Sequence, residues 1–187
     1  MLTNASRSTT LWLLVLAPML VSCAGGRPTT REVTAVQAPE RMTVTSTAFG
    51  DGDPLPRRFT CDGEGGPPPL RWEGVPKGTA ALALIVDDPD ASRGTFVHWV
   101  VLDMPAATRD VDGSALPGSA VQARNSAGRA SYFPPCPPSG VHRYRFTVYA
   151  LSERTGLRDG VDLEKALRAV ASSATVQGRL VGTYERR

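Results

Sequence analysis

Histidine and cysteine are scarce: the chain of 187 residues has two His and three Cys. Two imidazoles exclude a His-rich metal centre, and three thiols fall short of the four that an all-cysteine zinc site needs. Charge of one sign is nowhere concentrated. The 21 basic and 18 acidic side chains are interspersed and leave a net charge of +3, so no basic stripe for nucleic acid is present. Also absent are an apolar run of the ~20 residues that a membrane-spanning helix requires, a Gly-x-Ser-x-Gly elbow and an HExxH pattern. Glycine (18) and proline (16) mark many corners but stay below the roughly 25–30% share of low-complexity disorder. What remains is a folded chain with the length of one domain, for which ~100–200 residues is usual.

The N-terminus reads as an address. Residues 11–22 are apolar and follow a short segment whose sole charged side chain is Arg7, a stretch of signal-peptide size. It ends in Leu20-Val21-Ser22-Cys23 followed by Ala24-Gly25-Gly26, which resembles the lipobox of bacterial lipoproteins. That resemblance implies cleavage before Cys23, two acyl chains on its sulfur and a third on its new amine, more than stable anchoring needs. Ala24, where an inner-membrane lipoprotein would carry Asp, implies sorting to the outer membrane of a Gram-negative envelope, facing the periplasm. The rival reading is an ordinary secretory signal with an incidental Cys. Residues 24–41 are polar, contain Pro and Gly and show no period; they are expected to be a flexible tether with an r.m.s. reach of ~25 Å. The expected division is a signal peptide over 1–22, lipidated Cys and tether over 23–41, and a domain over 42–187.

The domain reads as strands and turns. Residues 42–47 alternate, 81–86 and 96–102 are apolar runs, and 144–151 alternate with Tyr144, Phe146, Val148 and Ala150 on one face. About nine residues separate the two apolar runs, which suits an antiparallel pair and not a helical crossover. Turn clusters such as Gly50-Asp51-Gly52-Asp53-Pro54 lie between. One helix is expected near the C-terminus, capped by Asp162, with Leu163, Ala166, Leu167 and Val170 on its apolar stripe. Residues 179–184 are expected to form a final edge strand. Many short strands with one or two helices predict a mainly β, sandwich-like core with small peripheral helices.

Both histidines fall in motifs that combine polar groups with an apolar surround. The first is Asp87-Asp88-Pro89-Asp90-Ala91-Ser92, followed by Phe96-Val97-His98-Trp99. The second is Tyr132-Phe133-Pro134-Pro135-Cys136-Pro137-Pro138, followed by His142-Arg143-Tyr144. If the two converge, imidazoles, a phenol and loop N–H groups form a small polar pocket suited to phosphate or carboxylate. Taken singly, the same residues have plainer roles: Asp88 and Asp90 as turn-makers, His98 as a core histidine, Arg143 and Arg145 as ion-pair partners on a strand face.

From about residue 43 onward the chain resembles the phosphatidylethanolamine-binding proteins, in particular their bacterial Raf-kinase-inhibitor-like branch. The motifs that carry the resemblance occur in order: Pro56-Arg57-Arg58-Phe59-Thr60-Cys61-Asp62-Gly63, Pro68-Pro69-Leu70-Arg71-Trp72, Asp88-Pro89-Asp90-Ala91, His98-Trp99-Val100-Val101, Arg124-Asn125-Ser126, Pro135-Cys136-Pro137-Pro138 and His142-Arg143-Tyr144-Arg145-Phe146. The resemblance implies an antiparallel β-sandwich and an anion pocket for phosphate-like groups formed by Asp88, Asp90, His98, Pro137, His142 and Tyr144, with no cofactor or metal. Two positions depart from the pattern. Ser92 stands where the family usually has Pro, and Phe133-Pro134 stand where bacterial relatives usually carry Gly-Gly beside the pocket. Proline there removes an N–H donor, and a phenyl ring at the rim favours a more apolar ligand.

With Cys23 assigned to lipid, Cys61 and Cys136 remain in two matched loops of an exported chain, and a disulfide between them is expected. The alternative is a reactive Cys136 thiol. The functional expectation is a lipid-anchored, non-enzymatic binding module for a small anion or phosphorylated headgroup, with inhibition of a kinase or protease as one way it could act. Two alternatives stand beside it: a hydrolase with an Asp88/His98/His142 acid–base site, and an envelope scaffold with a vestigial pocket.

Overall fold

The computed structural model describes Met1 and residues 36–113 and 115–186. The chain divides into two units at Arg31/Glu32, and apart from Met1 the first lies outside the described residues, as do Cys23 and the signal peptide. The second unit carries both sheets and the helix.

Its frame is a five-stranded antiparallel sheet in the order β6-β4-β3-β7-β8, faced by a three-stranded one in the order β1-β2-β5. In the larger sheet β3 (Ala81–Asp88), β4 (Phe96–Pro105) and β7 (Val141–Leu151) are central, β8 (Ala174–Glu185) lies at one edge, and the two-residue β6 (Val121–Gln122) lies at the other. The smaller sheet comprises β1 (Thr43–Thr45), β2 (Leu70–Glu73) and β5 (Asp110–Val111).

The unbroken apolar run of β3 follows from its position: every residue from Ala81 to Asp88 is buried. Strand alternation sends Leu82, Leu84 and Val86 into the core between the sheets, with Trp72, Tyr144, Phe146 and Val148. Ala81, Ala83 and Ile85 point the other way and pack with Tyr149, Leu151 and the helix. That helix, α1 (Leu163–Ser173), buries Ala166, Leu167 and Val170 on the second face. Its first turn is closed by Asp162, whose carboxylate accepts from Lys165 N. The antiparallel pairing of β3 with β4 and the inner face of β7 agree with the sequence expectations.

Two boundaries differ from expectation. The final strand begins at Ala174, directly after α1, and not near residue 179. Gly178 interrupts the apolar pattern there because a Cβ would lie 2.5 Å from the Met42 carbonyl oxygen. The same close approach corrects the tether's end. Arg41 N and Met42 N donate to Gln177 O, Gln177 N donates to Pro39 O, and Tyr149 Oη donates to the carbonyl of the buried Val36. Residues 36–41 therefore belong to the domain. Further along, Gly52 N and Leu55 N donate to Val181 O and Thr183 O, so the outer edge of β8 is paired at these positions too.

Candidate anion-binding pocket

Alternation at the end of β3 gives its two terminal carboxylates opposite duties. Asp87 faces away from the inter-sheet core and takes a bidentate pair from Arg145, at 2.7 and 2.6 Å. Asp88, one residue on, faces the inner side, where its Oδ2 accepts from His142 Nδ1 at 2.7 Å. Its Oδ1 accepts from Asp90 N at 2.8 Å, an Asx turn that fixes the carboxylate across Pro89. Both partners are buried, with His142 and Asp88 8% and 4% exposed.

His98 arrives from β4. Its Nδ1 lies 2.8 Å from the carbonyl oxygen of Phe133, and Phe133 N donates to His98 O at 3.0 Å. A carbonyl only accepts, so Nδ1 holds the proton and Nε2 of the neutral ring presents its lone pair. Burial pushes the His98 pKa down, against the Phe133 carbonyl and the Asp88 and Asp87 carboxylates, which pull it up. The imidazole is thus neutral at pH 7. Tyr144 enters from β7, edge-on to His98 with ring centroids 5.3 Å apart. Burial, reinforced by nearby Asp88, raises its phenol pKa, so it keeps its proton.

These groups border one cavity of about 140 Å³, lined also by Ala91, Ser92, Phe96, Phe133, Cys136, Pro137 and Pro138. That is roughly ten times the space one water needs. On two of the lining residues, the atoms His98 Nε2 and Tyr144 Oη are buried and have no hydrogen-bond partner among the described residues. Among the described residues no Arg or Lys lines the cavity. Its proline-rich wall is held at Cys136 by a disulfide to Cys61 and by the Cys61 N to Pro135 O bond at 3.0 Å. With its sulfur in that bond, Cys136 is no nucleophile. Among the described residues no cluster of three or more His, Cys, Asp or Glu side chains is arranged to hold a metal ion.

Five of the six pocket residues expected from the sequence, Asp88, His98, Pro137, His142 and Tyr144, line this cavity. Asp90 does not. Its carboxylate is consumed by Arg143, accepting from the backbone N at 2.9 Å, from Nε at 2.8 Å and from a terminal guanidinium nitrogen at 2.6 Å. That pairing holds its pKa down to about 2, and its role is to clamp the Asp88 turn to the start of β7. Sequence reading missed Phe96 as a wall of the site. The signal was available: Phe96 precedes His98 by two, so both side chains share a strand face.

A family model for the phosphatidylethanolamine-binding protein matches residues 45–185. LppC of Mycobacterium tuberculosis, described as a candidate lipoprotein, is 41% identical over 187 residues, covering 92% of each chain. A UPF0098 protein of Methanothermobacter thermautotrophicus is 41% identical over 78% of this chain and 99% of its own. Two crystal structures share the fold. A candidate phosphatidylethanolamine-binding protein homologue of Chlamydia trachomatis, CT736, has a TM-score of 0.73 and 37% identity; Escherichia coli YbcL, a member of the mammalian family, has 0.74 and 30%. Each covers 79% of this chain with 99% of its own length. On sequence, motif order and fold together, the chain belongs to the phosphatidylethanolamine-binding protein family.

Proposed function

We propose that this protein is a non-enzymatic binding module whose pocket takes a small oxyanion, a phosphate or carboxylate group, and that it works tethered to the cell envelope through lipid on Cys23. The observation that carries the reading is a pair of buried polar atoms without a partner among the described residues, His98 Nε2 and Tyr144 Oη, on two residues that line one cavity. Leaving two such groups without partners is costly, and a ligand that supplies both a proton and acceptor oxygens relieves it. A singly protonated phosphate ester fits: its P–OH donates to His98 Nε2, while its oxygens accept from the Tyr144 hydroxyl. Among the described residues the lining has no Arg or Lys, so a proton carried by the ligand or taken up by His98 offsets the anion's charge. Likeness to a lipoprotein, LppC, supports the envelope anchor, with the outer membrane facing the periplasm as its place. In this reading any inhibition of a kinase or protease is exercised by occupancy and not by turnover.

The test is calorimetric titration with phosphate, phosphoethanolamine and acetate of wild type, His142→Ala and Pro134→Gly. Binding by wild type that weakens at least tenfold in His142→Ala supports the reading. Absence of binding in both wild type and Pro134→Gly would falsify it, and binding regained only in Pro134→Gly would mark the pocket as vestigial. Turnover of phosphoesters that is lost in His98→Ala would move the protein to the enzymes.

A further inference from the structure

Beside the polar atoms the same cavity has a second, chemically different half. Phe96 and Phe133 both line it, and their rings sit 5.5 Å apart at 53°, a tilted aromatic pair. The Phe96 ring also lies 4.8 Å from the His98 imidazole, and the Phe133 ring 6.0 Å from it. All three spacings fall in the range at which aromatic rings attract. Neither Phe is fully buried. The Phe133 ring is held in place from behind its own backbone, which exchanges two hydrogen bonds with His98. In addition, the guanidinium carbon of Arg129 stands 6.0 Å from the ring centroid, at the outer limit of a cation–π contact.

We infer that Phe96 and Phe133 form an aromatic shelf that selects the substituent of the anion: the ligand is an organic phosphate or carboxylate whose aromatic group lies on this shelf while its anionic head meets His98, Tyr144 and His142. This rests on the anion-binding reading and adds the identity of the attached group. The acid head alone leaves the phenyl rings in water. A planar substituent buries apolar surface against two rings already fixed at aromatic contact distance, so little ordering of the protein is needed on binding. An alkyl group of the same area gains the burial without the ring geometry and is bound less well.

The experiment compares methyl phosphate with phenyl phosphate at about pH 5, below the second phosphate pKa of about 6, so that both carry one charge. Isothermal titration uses the full wild-type chain in detergent. Phenyl phosphate is expected to bind about tenfold tighter than methyl phosphate. In Phe133→Ala the ratio falls to about twofold or less; Phe133→Leu gives an intermediate ratio. Equal affinity of the two ligands for wild type overturns the shelf and leaves the anion pocket standing. Binding of neither overturns both. The wild-type comparison decides even where a variant fails to fold.

Discussion

His98 and Phe133 are joined twice, through Nδ1 to the Phe133 carbonyl at 2.8 Å and through Phe133 N to the His98 carbonyl at 3.0 Å. The first bond assigns the tautomer and the second locks the proline-rich loop to β4. Together they leave Nε2, on a residue that lines the cavity, with a lone pair and not a proton. An anion must therefore arrive with a proton or draw one onto Nε2.

The first prediction concerns that proton. Sulfate, which does not titrate between pH 5 and 8, should bind more tightly as pH falls from about 7.5 to 5.5, and titration in buffers of different ionisation enthalpy should show proton uptake. Without ligand the sign is opposite for folding. The native pKa of His98 lies below its usual value because of burial, so its contribution to stability is present above about pH 6.5 and is lost as pH falls from there toward the native pKa. His98→Gln should flatten the sulfate slope. A pH-independent sulfate affinity in wild type would sink the proton-linked pocket.

Much of the fold and the pocket was legible in the sequence, for reasons that particular residues show. The alternation of Tyr144, Phe146, Val148 and Ala150 survives into the structure because one face of β7 meets the inter-sheet core. The capping Asp162 and the stripe of α1 are local signals that tertiary packing reinforces. Long-range demands were illegible. Gly178 weakens a strand pattern only because the Met42 backbone crosses it, and residues 36–41 look like a tether until Gln177 is seen to pair with them. Asp90 shares a motif with Asp88 but not its duty, since the register that places Arg143 beside it is a property of two strands, not of either one.

His142→Ala should destabilise the fold as well as weaken the anion. It strips Asp88 Oδ2 of its donor in a buried site, a loss of about 1–3 kcal/mol. Asp88→Asn alone should also cost stability, but the double variant should cost less than the two singles together, because the second change removes the group that the first left unsatisfied. Urea unfolding of the four proteins measures this coupling. Additive losses would show that the two side chains are not an energetic unit.

The Cys61–Cys136 disulfide closes a separation of 75 residues and holds the pocket's proline wall. Constraint of the unfolded chain over such a loop is worth on the order of 4 kcal/mol in the chain-entropy model. The Cys61→Ser/Cys136→Ser variant should lose about that much in denaturant unfolding, and its anion affinity should fall because Pro137 and Pro138 lose their anchor. Mass spectrometry of the exported protein should find no free thiol at either position. Two free thiols, or a variant as stable as wild type, would remove the staple from the account.

The Asp90–Arg143 pair separates the pocket from its scaffolding. Arg143 holds the Asp90 carboxyl down to about 2, below the ordinary 3.8. A depressed carboxylate stabilises the fold above its unfolded value, and the contribution is lost as pH falls from about 4 to 2. The Arg143 side chain is 60% exposed and that of Asp90 27%, so solvent screening keeps the pair weak at neutral pH. Asp90→Asn should therefore change stability at pH 7 only slightly and remove part of the loss seen between pH 4 and 2. Because Asp90 does not line the cavity, its substitution should leave phosphate affinity within about twofold, less than 0.5 kcal/mol, whereas Tyr144→Phe, which deletes a buried hydroxyl with no partner among the described residues, should weaken it about tenfold. The contrast is measured by titrating both variants with phosphate. A large loss in Asp90→Asn with none in Tyr144→Phe would mean that the anion sits on the outer turn beside Arg143 and not in the cavity.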